Sequence, residues 1–243
     1  MEILMKIKTL AAALAFTCAS GIAVAQDYQF EVGVNYVNVD FDNAGSDDSF
    51  GVYGEYHFQP VRVGSNPLAE AAFINRSSHV RVTASEDFDA LHGAVDFYIP
   101  DTIFFVGADV VRTDYDGADT ENDWGVRFGL TPITGLLVWT EYMDEAGYDF
   151  NLNAKYVLPL GGGNFLNLEG GYADYDNNDV LNVGADFYFD QTFSVGAGYT
   201  DNDYDDGFEL RARKFFTPEI SGQVAYTKWD NYDAVTVGAS FRF

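Results

Sequence analysis

Every second side chain in LNVGADFYF is apolar. Leu181, Val183, Ala185, Phe187 and Phe189 fall on one face, and Asn182, Gly184, Asp186 and Tyr188 on the other. A period of two marks a strand whose faces meet different surroundings. The same alternation runs through Tyr148, Phe150, Leu152, Ala154, Tyr156 and Leu158, through Trp124, Val126, Phe128 and Leu130, and through Leu91, Gly93, Val95, Phe97 and Ile99. Helical spacing almost never appears, so the chain reads as all-β.

Two kinds of punctuation alternate between these strands. One is tight: QPVRVGSNP, IPDT, TPITG, LPLGGG, FDQT and FTPE. The other is acidic and rich in Asn and Gly: DNAGSDD, SEDFD, TDYDGADTEND, DEAG, DYDNND, DNDYDDG and DNYD. Six of the first and seven of the second join fourteen strands, expected over 28–41, 49–59, 67–85, 90–100, 102–113, 122–131, 135–143, 147–158, 165–174, 180–190, 192–200, 207–216, 219–229 and 234–243. The third, PLAEAAFINRSSHVRVTAS, is too irregular for one clean alternation and is read with a bulge near Asn75 and Arg76. Tyr172, Tyr199 and Tyr226 are spaced by 27 residues, as are Phe189, Phe216 and Phe243, which makes the end of the chain three copies of one hairpin. Hairpin after hairpin gives an antiparallel up-and-down sheet. With no helix to cover an edge, closure into a barrel is expected.

A barrel of about eight strands already closes on a packed interior, so fourteen enclose a lumen too wide for side chains to fill. The apolar face therefore looks outward, into lipid, and the Gly-, Asn- and charge-rich face looks inward. A secreted solenoid or amyloid-like sheet is the alternative. No run of apolar residues is long enough for a membrane helix, but transmembrane strands need only about 9–11 residues, half of which can be polar. Aromatics fall in two bands: Phe58, Tyr156, Phe187, Phe189, Phe241 and Phe243 near the tight turns, and Tyr36, Phe50, Trp124, Tyr142, Tyr148, Tyr172, Tyr199, Phe208 and Tyr226 near the acidic loops. Such bands suit the two membrane–water interfaces.

The beginning reads as a targeting segment. Lys6 and Lys8 precede the apolar LAAALAF, and Ala23-Val24-Ala25 has the small-x-small pattern of a cleavage site. Residues 1–25 are expected to be removed, leaving the barrel as 26–243. The single cysteine, Cys18, lies in that leader, where the preceding AFT lacks the small residue an acylation site needs. The remainder has no cysteine, which excludes disulfide staples, thiolate chemistry and cysteine metal sites.

The chain finishes on TVGASFRF, with Val237, Ala239, Phe241 and Phe243 on one face and Thr236, Gly238, Ser240 and Arg242 on the other. This resembles the C-terminal assembly signal of Gram-negative outer-membrane barrels, carried by Gly238, Phe241 and Phe243. NPLAEAAFINRSSHV is similar to a segment of small porins from marine gammaproteobacteria. The resemblance implies a porin-like barrel in the cell outer membrane, exported to the periplasm and assembled by the β-barrel assembly machinery, with lipid and lipopolysaccharide as partners. The last strand is then expected to pair with the one beginning at Tyr28.

Asp and Glu number 38 against 13 Lys and Arg. The acidic loop segments quoted above contain no basic residue, and in barrels of this type the longer loops face the medium. The plainer reading is solvation and repulsion of neighbours, with cations bridging to lipopolysaccharide. The sharper one is a negative mouth that concentrates cations at the entrance. DNDYDDG imitates a calcium-binding loop, but its glycine falls one place late and no Glu closes it. Inward faces carry Glu31, Glu55, Asp96, Asp109, Glu141, Glu169, Asp186 and Glu209 together with Arg81, Arg127, Lys155, Arg211, Arg213 and Arg242. These charges either set a field across the channel, with Arg211, Arg213 and Arg242 facing Asp109 and Glu141, or pair between adjacent strands.

The expected function is passive diffusion of small hydrophilic solutes or ions, with cations preferred. A non-conducting structural or adhesive barrel is the alternative. None of the acidic loops is long enough to fold in as a constriction, which leaves the pore open or gated by loop motion. His57 and His92 face inward near Glu55 and Asp96, but neither has an evident serine partner, so no catalytic site is expected. No cofactor, metal or nucleic-acid partner is expected, and the oligomeric state is left open.

Overall fold

The computed structural model describes residues 27–85, 89–114, 120–144, 148–175 and 178–243. The expected leader, the acidic Asp116 and Asp119, and the side chain of Tyr148 lie outside the described residues. Fourteen strands follow one another: β1 (Asp27–Phe41), β2 (Gly45–Arg62), β3 (His79–Ser85), β4 (Ala90–Tyr98), β5 (Phe104–Thr113), β6 (Glu121–Leu130), β7 (Leu136–Met143), β8 (Tyr148–Gly161), β9 (Asn164–Tyr175), β10 (Asn178–Tyr188), β11 (Phe193–Asn202), β12 (Asp205–Phe215), β13 (Ile220–Trp229) and β14 (Tyr232–Arg242). Each pairs antiparallel with its neighbours, and β1 pairs with β14, so the sheet closes and leaves no free edge.

The closing register runs from Glu31↔Arg242 to Phe41↔Tyr232. Beyond it, Phe30 and Phe243 exchange backbone hydrogen bonds of 2.9 Å in both directions, and their rings stack at 5.2 Å. The terminal aromatic is sealed into the wall rather than frayed. Strands β10, β12 and β14 start at 178, 205 and 232, which makes the 27-residue repeat one hairpin. Phe189, Phe216 and Phe243 stand just past their ends and are 52, 70 and 57 % exposed, on the outside.

Alternation sorts the two faces as the pleat requires. Val110, Phe128, Val183, Leu210 and Val237 are exposed, whereas Asp109, Asp186 and Arg242 are buried. An apolar belt of this extent on a water-soluble protein would drive association. Around a barrel it is the lipid-facing band, with Trp124, Tyr142, Tyr172, Tyr199 and Phe208 exposed toward the acidic end and Phe58, Phe189 and Phe243 toward the tight turns. Much of the acidic rim is strand rather than loop: Asp47 and Asp48 belong to β2, Asp201 to β11, and Asp205 and Asp206 to β12.

Two local devices keep the wall continuous. Gly33 stands opposite Tyr53, whose ring occupies the space a Cβ at residue 33 would need, and the Tyr53 hydroxyl donates to Glu31 Oε1 at 2.6 Å. Among the described residues the β7–β8 seam has four ladder pairs, from Leu136↔Tyr156 to Trp139↔Asn153. Beyond them a buried side chain substitutes for the backbone. Asn151 Oδ1 accepts from the Glu141 N–H at 2.9 Å, and its Nδ2 donates to the Glu141 carbonyl at 2.6 Å. We expect Asn151→Leu to leave both backbone groups unpaired and to cost about 1–3 kcal/mol in urea unfolding from lipid vesicles. Unchanged stability would mean that water satisfies the seam.

The expected third strand is corrected. Only His79–Ser85 is strand; Leu68–Glu70 forms a single 3₁₀ turn and α1 (Ala71–Ile74) a single helical turn. Pro67 breaks the ladder, and LAEAAFI offers good helix formers with no alternation. No bulge lies at Asn75 and Arg76. Instead Arg76 takes φ 52°, the Arg76 N–H donates to Phe73 O and the Ser77 N–H to Ala72 O, each at 3.0 Å. This is a Schellman closure of the helix with arginine where glycine is usual.

Candidate functional site

Residues 63–78 do not form a turn outside the barrel. They enter its lumen from the tight-turn end. At the first wall, Arg242 Nη1 of β14 donates to Leu68 O at 2.7 Å, while the Leu68 N–H donates to Gln191 O in the β10–β11 turn at 2.8 Å. Tyr28, Val61, Val63, Leu68, Ala71 and Phe215 bury one another there. Glu70 then reaches the far side, accepting from Tyr188 Oη at 2.7 Å and pairing with Lys155 Nζ at 3.0 Å. Tyr188 ends β10 and Lys155 lies on β8; between them is β9, seven strands from β2 in a ring of fourteen. The segment therefore crosses the lumen from wall to wall. It returns past the β6–β7 turn, where Arg76 Nη2 donates to Thr131 O at 2.7 Å. At the start of β3, Ser78 Oγ accepts from the Tyr98 N–H at 2.9 Å. The constriction thus comes from the end where the sequence suggested only tight turns.

Two cavities of about 360 Å³ each lie inside the barrel, and Glu70, Lys155 and Arg213 border both. The first is also lined by Glu31, Glu55, Arg81, Asp96, Arg127 and Arg242, the second by Glu169, Asp186, Glu209 and Arg211. Most of these charges are paired nearby. Arg211 grips Asp186 with two hydrogen bonds of 2.7 Å and touches Glu209 at 3.0 Å. Lys155 meets Glu169 at 3.0 Å, Arg127 meets Asp109 at 3.1 Å and Asp96 at 3.2 Å, and Arg81 lies 3.6 Å from Glu55. Arg242 pairs with Glu31 across the closing seam, its guanidinium 4.5 Å from the Tyr28 ring centre and 4.6 Å from that of Phe215. Among the described residues Arg213 makes no ion pair, and its Nε is buried without a hydrogen-bond partner. Of the residues expected to set a field between opposite walls, Arg211, Arg242 and Asp109 are ion-paired, whereas among the described residues Arg213 on one wall and Glu141 on the other are not.

Sequence reasoning missed the serine beside His57. Ser77 Oγ lies 3.0 Å from His57 Nδ1, and His57 Nε2 lies 3.0 Å from Glu55 Oε1. The inserted segment brings Ser77 there. His92 is exposed on the inner wall and, among the described residues, joins no such group.

The fold is similar to that of the outer membrane protein Omp33 of Acinetobacter baumannii, with a TM-score of 0.76 and 22 % identity over 90 % of this chain and 99 % of that one. A substituted porin of Rhodopseudomonas blastica aligns with a TM-score of 0.51 and 10 % identity, over 88 % of this chain and 99 % of that one. No curated protein sequence matches. Residues 4–150 and 133–243 match the family model described as "Putative general bacterial porin". A closed fourteen-strand barrel with an apolar belt, a charged interior and this family match has one reading: the chain belongs to the general bacterial porins and is an outer-membrane channel protein of a Gram-negative bacterium.

Proposed function

We propose that this porin passes small hydrophilic solutes and ions by passive diffusion, with cations preferred, through a lumen narrowed from the periplasmic side by residues 63–78. The observation that carries the reading is the wall-to-wall segment, tied to Arg242 on one side and to Lys155 and Tyr188 on the other. The two cavities, lined by charged side chains, suit hydrated solutes rather than apolar ones. The Ser77–His57–Glu55 contact does not favour hydrolysis. The imidazole is wholly buried, so no substrate carbonyl reaches it and the hydroxyl together. Planar-bilayer recording tests the channel: discrete conductance steps are expected. Their absence, with the segment present or excised, would support a structural barrel instead.

Cation preference rests on the acidic rim. Replacing Asp47, Asp48, Asp201, Asp203, Asp205 and Asp206 by Asn is expected to bring the cation-to-anion permeability ratio toward unity. The effect should be larger at 0.01 M salt, where the screening length is about 30 Å, than at 0.1 M, where it is about 10 Å. A ratio unmoved at low salt would assign the rim to solvation alone. For biogenesis, the same reading has 1–25 removed on export, Gly238, Phe241 and Phe243 presented to the assembly machinery, and rim carboxylates joined to lipopolysaccharide through divalent cations.

A further inference from the structure

Beside the point where the inserted segment rejoins the wall, three donors converge. Glu55 and His57 are two apart on β2 and share its inner face, and His79 on β3 stands directly opposite His57. One ligating atom from each lies within 4.8 Å of the other two. We propose that Glu55, His57 and His79 form a binding site for a divalent transition-metal ion of the zinc class.

Hydrogen bonding fixes how the rings present themselves. His79 Nδ1 lies 3.1 Å from the Ser77 carbonyl oxygen, which only accepts. The proton of the neutral ring is therefore on Nδ1, and Nε2 carries a lone pair. His57 Nδ1 lies 3.0 Å from Ser77 Oγ, and a hydroxyl accepts equally well. One residue thus tethers both imidazoles by the nitrogen that does not ligate, the arrangement that orients metal-binding histidines. His57 has no exposed surface. Its Nε2 faces Glu55 Oε1 at 3.0 Å without an in-line hydrogen bond. Either a proton or a metal ion can bridge two acceptor atoms held that close.

Two imidazoles and one carboxylate are a zinc donor set, with bonds of about 2.0–2.1 Å and ligand atoms therefore about 3.3 Å apart. Closing from the present spacing takes side-chain rotation, not movement of the wall. Glu55 and His79 line the first cavity, so an ion would approach the group from that side. Imidazole donors discriminate against calcium and magnesium, which the carboxylate-rich rim would take instead. Arg81, 3.6 Å from Glu55, offsets part of the carboxylate charge and tempers the affinity. The sequence did not suggest the site because only the β2–β3 pairing joins His57 to His79.

The test is calorimetric titration of zinc chloride into the full-length protein in detergent, with calcium chloride in excess to fill the rim. One saturable zinc per chain is expected, weakened at least tenfold by His79→Gln and weakened to a smaller degree by Ser77→Ala. His57→Gln should abolish binding. If that buried substitution prevents folding, His79→Gln, at the cavity surface, carries the test. Cobalt(II) supplies an independent readout: intense visible bands of a tetrahedral site in the parent chain and none in His79→Gln. Absence of saturable zinc binding in calcium, or binding unchanged by His79→Gln, overturns the proposal.

Discussion

Exchanging residues 64–76 for a four-residue Gly-Ser linker is expected to raise the single-channel conductance several-fold. The geometry permits the exchange. Asn75 Nδ2 donates to Arg62 O at 2.8 Å, so the two ends of the segment already lie together, and four residues span up to about 13 Å. The exchange removes Leu68, Glu70, Ala71 and Phe73 from the lumen and merges the two cavities that Glu70 now borders. The fourteen-strand ladder keeps its closing register, because no strand residue is lost. Some stability goes with Leu68, about 1.5–3 kcal/mol for one buried side chain, and Tyr28 and Phe215 become wetted. Urea unfolding of the exchanged barrel in vesicles should therefore show a modest loss, while bilayer recording shows a large gain. If conductance stays at the parent level, ions take a route that residues 64–76 do not obstruct, and the constriction falls.

The barrel was legible because its rules are periodic. Alternation named the outer face, two kinds of punctuation set the strand number, and the 27-residue repeat marked the last hairpins, whose observed starts keep that spacing. The inserted segment was not legible by the same means, because it breaks the period that served everywhere else. A signal for it was nevertheless present. Near the tight turns, apolar residues stand side by side instead of alternating: Phe104-Phe105, Leu136-Leu137, Phe187-Tyr188-Phe189 and Phe215-Phe216. One member of each group, Phe105, Leu137, Tyr188 or Phe215, is buried inside the barrel. An apolar inner surface confined to one end requires something apolar to cover it. Only PLAEAAFI, among the tight-turn regions, has the composition to do so. Charge pairing was less legible still, since Arg211 reaches Asp186 two strands away and Glu70 reaches Lys155 across the lumen. Both contacts depend on curvature and on the insertion, which no spacing encodes.

Arg242→Ala is expected to release the same segment by a different route, and at a larger cost to the fold. Arg242 is 3 % exposed and Glu31 is 8 %, so the substitution leaves a buried carboxylate without its cation. Breaking such a pair on one side costs about 3–5 kcal/mol. The Leu68 carbonyl loses its donor in the same step, and Tyr28 and Phe215 lose the cation between their rings. Unfolding in urea should begin earlier by that amount, and conductance should rise or fluctuate as residues 63–78 lose one of their two walls. The double substitution Glu31→Gln with Arg242→Met separates the two roles. It removes the stranded charge and should recover most of the stability, yet it restores no donor to Leu68, so the conductance should stay raised. Recovery of both together would show that Arg242 holds the closing seam alone and has no part in holding the constriction.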